Sequence, residues 1–264
     1  MIKFEKSLIF TVTSGRSGSA YLSQLLGSLP GVHSEHEPEP NFVHAMRRAQ
    51  QNPAVALAFL RDHKLPAISR VTEPVYAESS HLTCKGFIEP MIQLGLRPGL
   101  IFLRRPPREV AWSLLERNTI PGRTTWGWSY LLEPRDPNVL PLLGWETLSD
   151  YQLCFWYALE IERRCIRYTA LAGELGLPNA DVTNMELNDW EFFSRMLKNL
   201  GLAETDQVRA AHADISAKVH NVNPKRIQMP IEQLAVAEQQ VWNLVASFEP
   251  LLQQGIKRRY GRSD

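Results

Sequence analysis

Apolar and polar positions along this chain follow two periods. Short apolar runs typical of buried strands are followed by stretches in which apolar residues recur every three or four positions, as in helices. The first pair is a strand at Leu8–Thr13 and a helix from about Gly18 to Ser28, which Pro30 and Gly31 end. Strands separated by helices require crossover connections, so this alternation predicts a parallel sheet.

The alternation continues to the end of the chain. We predict helices at Phe42–Gln51, Pro53–His63 and Met91–Leu94, and strands at Leu82–Lys85 and Leu100–Leu103. Further on we predict a long helix from Asp150 to about Ala172, a strand and turn at Asp181–Leu187, a helix at Trp190–Leu200 and a last helix from Ile231 to about Gln254. Together these elements predict a three-layer α/β/α fold with a central parallel sheet, in one domain over residues 1–264.

Residues 118–149 interrupt this rhythm with several prolines and a group of aromatic residues. We predict an insertion that acts as a lid, in which Trp126 and Trp128 line the binding site of a compact organic acceptor. The alternative is a surface loop that is packed by its own aromatic side chains.

Composition narrows the class of protein. The 264 residues are 44% hydrophobic and 22% charged, which is ordinary for a globular enzyme. A net charge of +1 argues against a nucleic-acid partner. The sequence has no apolar run that approaches twenty residues, so we expect no membrane partner and a cytoplasmic location. The three cysteines lack metal-site spacing, and we expect no metal.

The turn after the first strand carries the first candidate chemistry. Its backbone N–H groups and the following helix N-terminus point at one spot, which suits an anion. Arg16 adds a positive charge, and Ser17 and Ser19 add hydroxyl donors. A nucleotide triphosphatase loop has a glycine followed by lysine and then Ser or Thr, whereas Gly18 is followed by serine and Ala20. The loop therefore indicates an anion site without metal-assisted triphosphate chemistry.

A second candidate anion site follows the predicted strand at Leu100–Leu103. Arg105 stands at the strand's end, and a proline lies in the first helical turn, where its missing N–H is tolerated. Ser113 lies about two turns into this helix, so Arg105 and Ser113 would hold a second anion between them. Arg117, one turn further, either adds to this site or is a helix-end charge.

These two motifs resemble the sulfotransferases that use 3′-phosphoadenosine 5′-phosphosulfate (PAPS). In that family a basic-Ser-Gly loop holds the 5′-phosphosulfate, and an arginine and a serine around a proline-bearing helix start hold the 3′-phosphate. The resemblance implies the P-loop-like sulfotransferase fold, PAPS as cosubstrate and 3′,5′-ADP as product. It implies cofactor contacts from Ser14, Gly15, Arg16, Ser17, Gly18, Ser19, Ala20, Tyr21, Arg105, Ser113 and Arg117.

Three positions depart from the family pattern. Ala20 removes one hydroxyl contact, and Pro106 replaces the usual Asp or Asn. Tyr21 stands where cytosolic members often have Trp, and it either stacks on the adenine or packs internally.

Lys218, Lys225 and Arg226 flank a segment that we expect to close over the nucleotide, although no single one of them is singled out.

The stretch from Val32 to Pro40 crowds three carboxylates and two imidazoles into one loop, which suits proton transfer. Aligned without a gap from the Arg-Ser-Gly turn, the catalytic glutamate of tyrosylprotein sulfotransferases falls on Glu37. We predict Glu37 as the base, with Glu35 and His36 as alternatives that also contact the acceptor.

Cytosolic members of the family instead use a histidine on a later strand. The predicted Leu82–Lys85 strand carries no histidine, and we expect His81, which precedes it, at the surface. Lys85 matches a lysine that steadies the transferring group in glutamate-base members. The alternative for Lys85 is an exposed residue at a strand end.

The predicted activity is sulfuryl transfer from PAPS to a hydroxyl, amine or guanidine of a small molecule. The N-terminal block also resembles bacterial, partly cyanobacterial, sulfotransferases that tailor natural products such as saxitoxin-type alkaloids, and the acidic loop favours a small basic acceptor. A small-molecule P-loop kinase and a non-catalytic nucleotide-binding module are the alternatives. A homo-oligomer stays open as an assembly state.

Overall fold

The computed structural model describes residues 4–218 and 230–261. The strands are β1 (Ser7–Val12), β2 (Val32–His36), β3 (Val75–Ser79), β4 (Gly99–Arg104) and β5 (Asn179–Thr183). The helices are α1 (Ser19–Gly27), α2 (Val43–Gln51), α3 (Pro53–Phe59), α4 (Leu65–Ser69), α5 (Ile88–Gln93), α6 (Pro107–Glu116), α7 (Thr125–Tyr130), α8 (Asp150–Leu175), α9 (Trp190–Asn199), α10 (Asp206–Ala217), α11 (Ile231–Val245) and α12 (Leu252–Tyr260). A π turn, Leu60–Lys64, joins α3 to α4.

All strand pairs are parallel, in the order β2-β3-β1-β4-β5. Successive side chains of a strand point to opposite faces, so Ile9 and Phe10 enter different layers. Ile9 belongs to a core that includes Leu22 of α1 and Phe193 of α9. Phe10 packs edge-on against Phe42, with ring centroids 6.3 Å apart. The predicted three-layer fold with a parallel sheet is confirmed.

The described residues divide into two compact units. The first holds the residues up to Arg104 and from 167 to 218, and it contains the whole sheet. The second holds Arg105–Ile166 and the residues from 230 onward. The predictions of one domain and of a lid at residues 118–149 stay predictions. Within the described ranges, no helix is long and apolar enough to cross a membrane.

The prediction of a strand at Leu82–Lys85 is wrong. This segment forms turns, in which the Lys85 N–H donates to the Leu82 carbonyl at 2.9 Å, and the strand lies earlier, at β3. The pattern concealed β3 because Glu78, a charged residue, is fully buried in it. A buried carboxylate needs a partner, and here Lys64 supplies one at 2.7 Å.

Other predicted bounds were close, with two exceptions. The helix predicted to end at His63 continues to Ser69, because the π turn Leu60–Lys64 joins it to α4. The predicted last helix is interrupted between Val245 and Leu252, where Pro250 lacks the N–H that a continuous helix would need. Helices α7 and α10 were not predicted.

Candidate active site

The turn between β1 and α1 has the backbone of an anion-binding loop. Gly15, Arg16 and Gly18 have φ angles of +76°, +57° and +87°. Arg16 is the exception among these, because a non-glycine residue rarely adopts the left-handed conformation. The N-cap of α1 is Gly18, which has no side chain to accept from the first-turn N–H groups. Left-handed residues in such a turn direct neighbouring backbone N–H groups toward one side, which suits an anion.

Hydroxyl groups of the turn hold its shape. Ser14 and Ser17 are buried, and their Oγ atoms lie 2.8 Å and 3.0 Å from the Gly15 carbonyl oxygen. Ser79 at the end of β3 donates to the Ser19 carbonyl at 2.8 Å. Arg16 is exposed. The serines therefore shape the loop, while Arg16 supplies an accessible positive charge.

His81 packs directly on this turn. A Cβ atom built on Gly15 would lie 3.2 Å from Cγ of His81. The His81 side chain is only 12% exposed. The prediction that His81 lies at the surface is therefore wrong. The chain after β3 passes over Gly15, and the imidazole fits there because Gly15 has no side chain.

Lys85 and Glu37 contact the two ring nitrogens of His81. The Lys85 ammonium lies 2.8 Å from Nδ1 of His81, and Oε1 of Glu37 lies 3.5 Å from Nε2. Lys85 is fully buried. The alternative of an exposed Lys85 at a strand end is therefore wrong, since its ammonium is buried beside His81.

The charge state of His81 follows from its surroundings. Burial lowers the pKa of His81 well below its ordinary value, and the nearby basic groups Lys85, His36 and Arg16 lower it further. An ammonium only donates, so Nδ1 accepts and the hydrogen of the neutral ring is on Nε2. His81 therefore presents an N–H toward Glu37.

Glu37 is held in an unusual backbone conformation. Its φ is +51°, and a proline follows it, although residues before proline favour extended conformations. Asn41 Nδ2 donates to the Glu37 carbonyl at 2.8 Å. The side chain is 25% exposed. The structure thus brings the predicted base beside the residues that contact the glycine turn.

The alternative bases lie differently. Glu35 Oε2 is 3.4 Å from Nε2 of His33, two residues earlier on the same face of β2. His36 is exposed, and its Nδ1 lies 2.8 Å from the Ser79 carbonyl. A carbonyl only accepts, so Nδ1 carries the hydrogen and Nε2 of the neutral ring has the lone pair. His36 therefore remains an alternative base.

The predicted 3′-phosphate residues belong to the second unit. The Arg105 side chain is 18% exposed, and its Nε donates to Glu109 at 2.9 Å. Tyr260 donates to the Arg105 carbonyl at 3.2 Å. Ser113 is half-buried in α6, and Arg117 caps the helix four residues later. A spacing of four places both on one side of the helix.

The remaining candidates have varied surroundings. Trp126 and Trp128 are 62% and 48% exposed, and Trp126 stacks on Tyr130 at 5.5 Å. Tyr21 lies in the core with its hydroxyl 2.8 Å from Ser216 Oγ, so it packs internally.

Of the basic residues predicted to close over the nucleotide, Lys218 pairs with Asp214 at 2.8 Å. Lys225 and Arg226 lie outside the described residues. Over residues 4–218 and 230–261, no cluster of three or more His, Cys, Asp or Glu side chains is arranged to hold a metal ion.

Comparison with known proteins gives the fold. No family model matches the sequence, and no curated protein matches it. Among solved structures, a sulfotransferase domain from the curacin biosynthetic pathway has a TM-score of 0.52 at 12% identity, over 90% of this chain and 96% of that domain. Mouse sulfotransferase SULT7A1, solved in complex with PAP, has a TM-score of 0.54 at 10% identity, over 97% of this chain and 89% of its own. The chain therefore has the sulfotransferase fold, as its two motifs predict.

Proposed function

We propose that this protein transfers a sulfuryl group from PAPS to a small-molecule acceptor, with Glu37 as general base. The observation that carries the proposal is the position of His81, which packs on the glycine turn between Glu37 and Lys85, in a chain with the sulfotransferase fold. An acceptor oxygen or nitrogen forms the new bond to sulfur, and the bond from sulfur to the bridging oxygen breaks. The leaving group is 3′,5′-ADP, and the acceptor proton goes to Glu37.

The residues of the turn fit a phosphosulfate group. The backbone N–H groups after Gly15, the exposed Arg16 and the buried Lys85 are all donors. PAPS supplies an activated sulfonate on an adenosine nucleotide. Arg16 neutralises the leaving phosphate, and Lys85 stabilises charge on the transferring group. A sulfonate carries less negative charge than a phosphoryl group, so fixed cations take the place of a metal.

His81 fits a positioning role better than that of the base. Its Nδ1 accepts from Lys85, and its Nε2 carries the hydrogen that faces Glu37. Both ring nitrogens are thus engaged, and the ring's pKa is held low. His81 orients Lys85 and Glu37 with respect to each other, and Glu37 is left to take the proton.

The 3′-phosphate is assigned to Arg105 and Ser113, with Arg117 as a further contact. This assignment follows the motif resemblance. The Arg105 guanidinium already binds a carboxylate, Glu109. A phosphate is recognised by the same fork of N–H donors.

For the acceptor, we propose a small cationic natural product with a hydroxyl, amine or guanidine. The support is the group of carboxylates near the proposed base. Glu35 at the end of β2 and Glu39 in the loop that follows are 42% and 74% exposed, and they flank Glu37 in sequence. They attract cations through a field that acts over several ångströms. The resemblance to enzymes that modify saxitoxin-type alkaloids gives the same direction, and the neighbour from the curacin pathway agrees with a natural-product role.

The test is release of 3′,5′-ADP from PAPS in the presence of an acceptor mixture and excess EDTA. We expect release that depends on the acceptor, is unchanged by EDTA, and is lost in Arg16→Ala. Phosphoryl transfer from ATP that requires Mg²⁺ would overturn the proposal in favour of a kinase. Tight 3′,5′-ADP binding without any turnover would favour a non-catalytic module.

A further inference from the structure

A buried ion pair lies next to the loop that carries the proposed base. We call residues 37–41 the base loop. Lys64, the last residue of the π turn, places its Nζ 2.7 Å from Oε2 of Glu78 in β3. Their side chains are 1% and 0% exposed. π turns inside helices are frequent at functional sites.

Lys64 directs its other contacts at the base loop. Its Nζ donates to the Pro40 carbonyl at 2.9 Å and lies 3.5 Å from the Pro38 carbonyl. The same ammonium lies 4.7 Å from the ring centroid of Phe42, which follows the loop. One buried cation thus holds the loop at two carbonyls after Glu37.

This arrangement is a costly way to fill a core. A buried ion pair is often no more stable than apolar residues of the same volume, because both charges lose their hydration. Tyr76 donates to Oε2 of Glu78 at 2.8 Å, but Oε1 of Glu78 has no hydrogen-bond partner among the described residues. Core stability alone therefore does not explain the pair.

The base loop needs support from outside. Glu37 has a left-handed backbone before a proline, a conformation that persists only where its surroundings hold it. Asn41 donates a hydrogen bond to the Glu37 carbonyl from within the loop. Lys64, from the π turn, contacts the carbonyl oxygens of Pro38 and Pro40.

We propose that Lys64, fixed by Glu78, is a positioning residue that holds Glu37 in the geometry required for proton transfer. This inference rests on the proposed role of Glu37 as base. The ion pair contributes to catalysis through the backbone of the base loop, without contact to the reacting groups.

The test uses the double variant Lys64→Met/Glu78→Gln, which removes both charges and avoids a lone buried ion. The matched control is Arg61→Met, which removes an exposed cation from the same π turn. Four quantities are measured: the melting temperature, the amide hydrogen exchange of the peptide that contains the base loop, kcat, and the affinity for 3′,5′-ADP. If the double variant melts far below the wild type, Lys64→Met/Glu78→Met replaces it.

We expect a folded double variant in which base-loop amides exchange at least about tenfold faster, since local opening requires less free energy. We expect kcat to fall about 100-fold with nucleotide affinity within about twofold, because a displacement near 1 Å has such effects. The control should match the wild type in all four quantities.

Unchanged amide exchange of the base loop in a folded double variant would show that the Lys64–Glu78 pair does not hold this loop. Faster exchange with an unchanged kcat would overturn its role in positioning Glu37. Hydrogen exchange does not need turnover. An inactive wild type would therefore contradict the proposed function, while the exchange data would still test whether Lys64 holds the base loop.

Discussion

The Lys85 ammonium lies 2.8 Å from Nδ1 of His81 and thereby fixes which ring nitrogen carries the hydrogen. His81 turns its N–H toward Glu37 as a result. A buried lysine and a glutamate on a separate loop are thus linked through one neutral imidazole. This linkage makes the role of each residue testable by substitution.

Lys85→Met is expected to lower kcat by about two to three orders of magnitude, because it removes a fixed cation that stabilises developing charge. Affinity for 3′,5′-ADP should change little, since the product lacks the sulfonate. Steady-state kinetics and calorimetric titration measure the two effects. Lys198→Met, at an exposed lysine paired with Glu204, is the control. An unchanged kcat in Lys85→Met would remove Lys85 from the mechanism.

Arg105→Ala is expected to weaken 3′,5′-ADP binding by at least about tenfold, as the loss of a charged hydrogen bond does. Binding of 5′-AMP, which lacks the 3′-phosphate, should be nearly unchanged. Isothermal titration with both nucleotides measures this selectivity. Arg135→Ala is the control, because Arg135 is likewise paired with a carboxylate, Glu133. Equal losses for both nucleotides would contradict the 3′-phosphate assignment.

The stability difference between wild type and Lys64→Met/Glu78→Gln should depend on pH. Burial raises the pKa of Glu78 from its ordinary 4.5 to about 7, against the opposing effects of Lys64 and Tyr76, while Glu35 raises it further. In this window the folded state binds more protons than the unfolded state, so the stability contributed by Glu78 falls as pH rises.

Across that window the change amounts to about 3 kcal/mol at most, from the free energy per pKa unit. Melting curves of wild type and Lys64→Met/Glu78→Gln between pH 5 and 8 measure it, because this variant leaves no lone buried ion. Taking the difference cancels the titrating groups that both proteins keep, such as His81. We expect the wild type to lose stability relative to the variant toward about pH 7. A difference that stays constant, or that grows with pH, would mean that Glu78 ionises normally.

Acceptor competition should follow charge. With cationic, neutral and anionic hydroxyl compounds at low salt, we expect the cationic class to give the highest kcat/KM, because Glu35 and Glu39 attract it. Added salt should reduce the preference, since exposed charges are screened. Preference for a neutral phenol or steroid would contradict a cationic acceptor and leave these carboxylates as solvated groups.

Local chemistry made the glycine turn predictable. The order of strand, glycine turn and helix is written in adjacent residues, so β1, Arg16 and α1 could be placed from the sequence. The second motif is similarly local, with a proline in the first turn of α6. Glu37 was assigned by counting from the turn, and the structure brings it to His81.

Contacts between distant residues were not predictable in this way. Strand β3 was missed because it carries the charged residue Glu78. The burial of this carboxylate is compensated by Lys64, which lies in another element. His81 was assigned to the surface because its burial depends on the missing side chain of Gly15. The small residues Ser79 and Ser80, after the run from Val75 to Ala77, were the available sign that a strand ends just before His81.

Mass spectrometry of acceptor mixtures after incubation with PAPS tests the central claim most directly. With the wild-type protein we expect an acceptor to gain one SO₃ unit, with equimolar 3′,5′-ADP. With Glu37→Gln, whose amide keeps the shape but cannot take the proton, we expect no product while 3′,5′-ADP affinity stays within about twofold. A sulfated product formed by Glu37→Gln at the wild-type rate would contradict the account.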